Sequence, residues 1–272
     1  MPTTVRPVSG FSAPSVSRTN GRDVHATRDT SLGSPTTDDI SLRQAALVAG
    51  LGLLLMTFLA PIANFGVLQK LIVPGDAAIT AQNIAAAQGL FRLAIGAFFL
   101  VAVLDVVIGW ALYIRFQAVN RSLSLLAALF RVVYATMLGV ALTNLVSALQ
   151  LVGGADFLKA FGTDQLQAQM MVLLSAFQSG WDLALIIFGL HLFVIGLLVF
   201  GSSKGRALRV LGILVIAAGL GYIVDGCGKL LLPDYSLTVG AYTFVGEALL
   251  MFWLLWKGIR GTDGKRAMSS YS

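Results

Sequence analysis

Three observations predict an all-α fold, a polytopic membrane bundle of six transmembrane helices. The mean hydropathy is +0.82. Hydrophobic residues make up 57% of the chain and charged residues only 12%, where a soluble domain carries about 25% charge. Six continuous apolar stretches, roughly 44–68, 90–113, 123–149, 181–201, 207–228 and 239–257, have the length of a bilayer-crossing helix, about 20 residues for a hydrocarbon core about 30 Å thick. They lack the two-residue alternation of a membrane barrel, so strands are not expected.

Each element follows from local sequence. Residues 1–38 are rich in Ser, Thr, Pro and Arg without hydrophobic periodicity, and are read as a disordered cytoplasmic tail. No apolar core precedes a cleavage site there, so a secretory signal is not read. Ser41-Leu42-Arg43-Gln44 fits a capping box and opens the transmembrane domain, 41–260. Span one contains Pro61, which removes a backbone donor and predicts a kink. Val73-Pro74-Gly75-Asp76 reads as a turn, and Thr80 with Asn83 as the cap of the next helix. Leu166, Met170, Leu173 and Phe177 recur at helical spacing. That pattern fits either an amphipathic surface helix broken at Ser179-Gly180, with Trp181 starting span four, or a packed extension of span four. Residues 261–272 are read as a short cytoplasmic tail. Trp110, Tyr113, Trp181, Tyr222, Tyr235, Trp253 and Trp256 fall mostly near span ends, as interfacial aromatics do. No internal repeat is apparent.

Basic residues alternate with the spans. Arg115 and Arg121 lie between spans two and three, Lys204, Arg206 and Arg209 between four and five, and Lys257, Arg260, Lys265 and Arg266 after span six. The other connections hold only Lys70, Lys159 and Lys229. The positive-inside rule then places both termini in the cytoplasm, with the chain in the cell membrane. The net charge of +6 reflects this asymmetry, so the expected partner is the lipid bilayer and not nucleic acid. Cys227 is the sole cysteine and reads as a structural thiol.

Charges inside the spans are the candidate functional residues: Asp105, Arg131, Asp182, Asp225 and Glu247, with Arg92 and Lys229 near span ends. Each costs about 2.5–3.5 kcal/mol at a helix centre on insertion scales, so a protein interior is the expected location. Counting helical rise puts Asp105 and Arg131 both roughly 12–14 Å from the cytoplasmic end of a short-looped hairpin, which predicts an ion pair. Ala127, Arg131, Ala135, Gly139, Thr143 and Ser147 form a small-residue ridge at intervals of four, which turns Arg131 toward another helix. On span five, Ala217, Gly221, Asp225 and Lys229 repeat that spacing, and Asp225 precedes Lys229 in the favourable order for an intrahelical pair. Similar depths predict an outer polar cluster of Arg92, Asp182, Asp225, Lys229 and Asn144. Glu247 and His191 remain, both near mid-membrane. A desolvated carboxyl without a counter-charge favours its neutral form, and a Glu247–His191 hydrogen bond is the expectation.

No His, Cys, Asp or Glu set has metal-ligand spacing, and no second span histidine offers bis-His haem ligation. No phosphate-binding loop or nucleophile elbow is present. No cofactor, metal or catalytic residue is therefore assigned.

A family resemblance rests on short runs in a fixed order. The first half contributes Leu71-Ile72-Val73-Pro74-Gly75-Asp76, Leu90-Phe91-Arg92, Leu104-Asp105-Val106-Val107, Val119-Asn120-Arg121 and Phe130-Arg131. The second half contributes Phe188-Gly189-Leu190-His191-Leu192, Arg209-Val210-Leu211-Gly212 and the stretch from Ala218 to Asp225. Leu231-Leu232-Pro233, Gly246-Glu247 and Trp253-Leu254-Leu255-Trp256-Lys257-Gly258 complete it. Over about 41–260 the chain resembles the bacterial integral-membrane family known as domain of unknown function 4386. The resemblance covers every mid-span charge except Asp182. It implies a six-helix membrane fold and supplies no reaction, substrate or cofactor.

Three functional readings stay open. One is a bundle that binds or translocates a small solute, lipid or proton through a polar interior. Another is a structural or regulatory membrane protein whose charges fix helix packing. The third is an intramembrane enzyme on a lipid or quinone-like substrate, with Glu247 or Asp105 as acid–base.

Overall fold

The computed structural model describes residues 40–154, 156–202 and 205–260. The two tails expected at 1–38 and 261–272, with Lys204, Lys265 and Arg266, lie outside the described residues. Six helical segments are long and apolar enough to cross a membrane: Leu42–Leu71, Gln88–Phe116, Arg121–Val152, Thr163–Gly201, Arg206–Leu231 and Val239–Arg260. This is a multi-pass, all-helical membrane protein.

Span one begins as α1 (Leu42–Pro61). Ser41 caps it: Gln44 N–H donates to Ser41 Oγ at 3.2 Å, and Ser41 N–H to Gln44 Oε1 at 2.9 Å. Pro61 cannot donate to the preceding turn, and Ile62–Leu68 then winds as a π-helix before the short α2 (Gln69–Leu71). The 72–76 turn leads to α3 (Ala77–Ala86), a separate short helix that corrects the sequence expectation. Asp76 is its cap, accepting from Ile79 N–H at 2.9 Å. Thr80 and Asn83 instead tie the turn together, through Val73 and the Leu71 carbonyl respectively. Asp76 wins because a cap must precede the first helical residue, whereas Thr80 already lies one turn inside.

Spans two and three are α4 (Gln88–Phe116) and α5 (Arg121–Val152), the latter capped by Asn120. A 3-10 turn, Asp156–Ala160, precedes α6 (Thr163–Gly201), one continuous helix of 39 residues. Ser179-Gly180 does not break it, because the helix is packed there. Gly180 faces Ala141 of α5, and a Cβ on Gly180 would lie 3.1 Å from that methyl. The extension reading of 164–180 therefore holds, and Trp181 lies within the helix and not at its start. Span five is α7 (Arg206–Leu231). Span six is divided into α8 (Val239–Thr243) and α9 (Val245–Arg260).

The helix α6 packs between α5 and α7. Gly189 and Gly196 of α6 face Gly219 and Gly212 of α7, and a Cβ at Gly189 would meet the Gly219 carbonyl at 2.6 Å. Backbone contact this close is the usual way that membrane helices gain packing where the hydrophobic effect is absent. The α5 ridge is only half realised. Ala127, Arg131 and Ala135 are buried, while Gly139 and Ser147 are half-buried and Thr143 is exposed. A four-residue step overshoots the helical repeat by about 40°, so the ridge rotates out of the interface.

One end of the bundle carries Arg43, Arg115, Arg121, Arg206, Arg209, Lys257 and Arg260, and is here the basic end. There α1 and α9 pack tightly: a Cβ on Gly50 would lie 2.9 Å from Leu255, and Gly258 faces Leu47. Phe116 stacks on Trp253 at 6.3 Å. Toward the opposite end the two helices part. The π-segment packs on α4, while α8 leans on α7 where Gly221 meets Thr243 and Gly240. This divergence creates the site.

Candidate functional site

Arg131 lies at the centre of the bundle, 1% exposed, against fully buried Asp105 and His191. Its Nη2 is 2.7 Å from Asp105 Oδ1, the expected ion pair. Its Nη1 is 3.0 Å from His191 Nε2, and His191 Nδ1 is 2.8 Å from the Ala127 carbonyl. A guanidinium is always a donor. Nε2 must therefore accept and Nδ1–H must donate to Ala127, which fixes a neutral tautomer. At 2.7 Å the Asp105–Arg131 pair is a short, fully buried ion contact. Asp105 Oδ2 and Arg131 Nε have no hydrogen-bond partner among the described residues. The guanidinium also lies 5.3 Å from the Phe188 ring centre and 3.9 Å from Met56 Sδ.

Met56 and Phe188 form the floor of a cavity of about 540 Å³, inside the range of about 300–1,000 Å³ typical of small-molecule sites. All six spans contribute walls. The π-segment supplies Asn64 and Phe65, and α4 supplies Phe98 and Val101. Tyr134 comes from α5, Trp181 and Asp182 from α6, Tyr222, Asp225 and Lys229 from α7, and Phe244 and Glu247 from the last span. Tyr134 and Tyr222 both contact Phe188, with ring centres at 4.9 and 5.4 Å. The lining is thus aromatic with a few placed polar groups, and Asp105, Arg131 and His191 lie beneath it.

Glu247 faces this space. The Tyr222 hydroxyl donates to its Oε2 at 3.4 Å. Among the described residues no Lys or Arg nitrogen comes within 4.0 Å of its carboxylate. The expected bond to His191 is not formed, because both ring nitrogens are engaged by Arg131 and Ala127. Equal depth did not imply a shared face.

At the opposite end, Lys229 Nζ donates to Asp182 Oδ1 at 2.8 Å, and Gln178 donates to Asp182 Oδ2 at 3.3 Å. The expected Asp225–Lys229 pair is replaced by this contact between α6 and α7. Asp225 is occupied by the last span: Oδ1 accepts from Tyr235 O–H at 2.6 Å and Val239 N–H at 2.9 Å, and Oδ2 from Gly240 N–H at 2.7 Å. These bonds cap α8 and hold it on α7. The bond to Asp225 pushes the Tyr235 hydroxyl, in the 232–238 connection, up to about 12.

The rest of the expected outer cluster does not assemble. Arg92 is exposed near the start of α4 and does not line the cavity. Asn144 donates to the Ala141 carbonyl of its own helix at 3.1 Å. Aromatic walls such as Trp181, Tyr134 and Tyr222 were absent from the sequence candidates. Trp181 and Tyr222 read as interfacial aromatics, and no spacing rule separates that role from cavity lining. Trp181 Nε1–H is buried without a hydrogen-bond partner among the described residues.

Six membrane-crossing helices around an internal aromatic and acidic cavity define a polytopic membrane protein with a small-molecule-sized site. Residues 48–258 match the profile of the family described as Domain of unknown function (DUF4386), and the chain belongs to that family. It is also similar to an uncharacterized protein of Archaeoglobus fulgidus, 36% identical over 160 residues, spanning 59% of this chain and 80% of the relative. No solved structure matches.

Proposed function

We propose that this protein is a membrane-embedded binding protein for a small amphipathic molecule held in the cavity between the six spans. The single observation carrying this reading is the cavity of about 540 Å³ with the unpaired Glu247 carboxylate among aromatic walls. A mid-membrane carboxylate is costly unless something meets it, and a bound polar group would do so. The cavity is sealed toward the basic end by Met56, Phe188 and the buried Asp105–Arg131–His191 group. That favours binding over a continuous conduit in this conformation. With the basic end in the cytoplasm of a cell-membrane protein, the cavity would occupy the outer half of the bilayer.

For Asp105, Arg131 and His191 themselves a structural role is favoured, because they join α4, α5 and α6 and do not line the cavity. Native mass spectrometry on gently purified protein tests the binding reading. A drug-sized molecule should accompany the unaltered chain and be lost from Ala60→Trp, which fills the cavity from α1. A chain with no passenger, and with stability indifferent to Ala60→Trp, would count against it.

A further inference from the structure

The chemistry of the walls identifies the class of molecule, taking the binding reading above as its basis. We infer that the cavity receives a lipophilic organic cation, an amine or onium centre on an apolar body, which arrives sideways from the lipid phase between α1 and α8.

Charge comes first. Three carboxylates, Asp182, Asp225 and Glu247, and one ammonium, Lys229, line the cavity, which leaves two negative charges by formal count. Lys229 is committed to Asp182 at 2.8 Å. Asp225 is surrounded by neutral donors from the 235–240 segment. Glu247 is deepest and holds only the long Tyr222 contact. The nearby positive charge of Arg131 is offset by Asp105 at 2.7 Å. An anionic guest would find no uncommitted cation on the walls, since Lys229 is held by Asp182, whereas a cation would supply Glu247 with its missing partner and favour its ionised form.

The ring geometry agrees. Phe188 contacts Tyr134, Tyr222 and His191, with ring centres at 4.9, 5.4 and 5.9 Å. Arg131 already rests over Phe188 at 5.3 Å, so this ring accepts a cation on its face. Tyr222 joins that ring group directly to Glu247. Aromatic faces beside one carboxylate form the arrangement that recognises desolvated ammonium groups.

The route follows from where α1 and α9 separate. Their last polar contact is Thr57 Oγ1 with Met251 Sδ at 3.7 Å. Beyond it, Pro61 and Phe65 on one side and Ala241 and Phe244 on the other line the cavity and are also exposed on the flank of the bundle. Phe65 is 60% exposed and Phe244 39% exposed. The cleft therefore opens at membrane depth between apolar lips, which suits a guest dissolved in lipid.

The test uses two nearly isosteric ions of opposite charge, tetraphenylphosphonium and tetraphenylborate, on the full chain in zwitterionic nanodiscs, with protein-free discs subtracted. Tetraphenylphosphonium should bind saturably, and tetraphenylborate about tenfold more weakly or not at all. Glu247→Gln should weaken the phosphonium about tenfold, while Glu247→Asp, which keeps the charge, should retain most of its binding. If Glu247→Gln does not fold, Glu247→Asp and the ion pair on the unaltered chain still decide. Equal binding of both ions, or indifference to Glu247→Gln, overturns the cation inference, and so does an absence of saturable binding by either. The broader binding reading falls only if, in addition, no passenger is displaced by Ala60→Trp.

Discussion

Arg131 Nη1–H points at His191 Nε2 across 3.0 Å in the middle of the bundle, linking α5 to α6. The same guanidinium reaches α4 through Asp105 at 2.7 Å. One side chain thereby fixes the rotation of three helices about their own axes. Its cost is a buried ion pair whose donors and acceptors are incompletely matched. Such a pair specifies an arrangement more than it adds net stability.

Removing one partner should therefore hurt more than removing both. Asp105→Leu or Arg131→Met alone should each lose about 3–5 kcal/mol of resistance to denaturing detergent, because a buried charge is stranded. The double variant Asp105→Leu with Arg131→Met should recover a large part of that loss. Lys229→Met is the control: its partner contact is partly exposed, with Lys229 at 41%, and its loss should be about 0–1 kcal/mol. Additive losses in the double variant would contradict the clamp.

The latch on α8 has a pH dependence with a definite sign. An ordinary tyrosine ionises near 10, whereas Tyr235, hydrogen-bonded to Asp225, is pushed up to about 12. The folded state then keeps a proton that the unfolded state has released. The stabilisation is complete below about pH 10 and is lost as pH rises toward about 12. Ultraviolet titration should show that Tyr235→Phe removes a late-ionising tyrosine, and the stability difference between the two chains should shrink over that interval. A missing tyrosine that titrates near 10 instead would mean that Asp225 does not hold it.

Much of the fold was legible in the sequence because membrane insertion reduces it to length and hydropathy. The ion pair of Asp105 with Arg131 was legible too, since a short hairpin brings equal depths together. His191 and Glu247 were not, because depth leaves rotation undetermined: His191 turns to Ala127 and Arg131, and Glu247 to Tyr222. Lys229 had a partner at helical spacing in Asp225, yet α6 brought Asp182 closer. The cavity had no local signal, for it arises where α1 and α9 diverge beyond Thr57 and Met251.

The glycines separate by contact. Gly219 of α7 lies so close to α6 that an added Cβ would stand 2.5 Å from the Gly189 carbonyl and 2.7 Å from Phe193 N. Gly219→Val should prise the two helices apart and abolish folding or lower the melting temperature steeply. Gly139 has nothing within 4 Å of an added Cβ. Gly139→Ala should be neutral or gain up to about 1 kcal/mol from helix propensity. The reverse order would show that α6 and α7 do not cross at these glycines.

Trp181 offers an optical report on the cavity. It forms part of the wall, packed edge-on against Phe98 at 5.1 Å, with its buried Nε1–H unpaired among the described residues. Trp110, Trp253 and Trp256 do not line that space. A molecule entering the cavity should therefore change the emission of one tryptophan in four. Titration with a spin-labelled amphiphile should quench a saturable fraction of the fluorescence, and Trp181→Phe should remove that fraction while leaving the non-saturable part. Ala60→Trp adds an emitter, so it is best read by competition: it should raise the concentration needed to quench Trp181. Saturable quenching that survives Trp181→Phe would move the binding site away from this cavity.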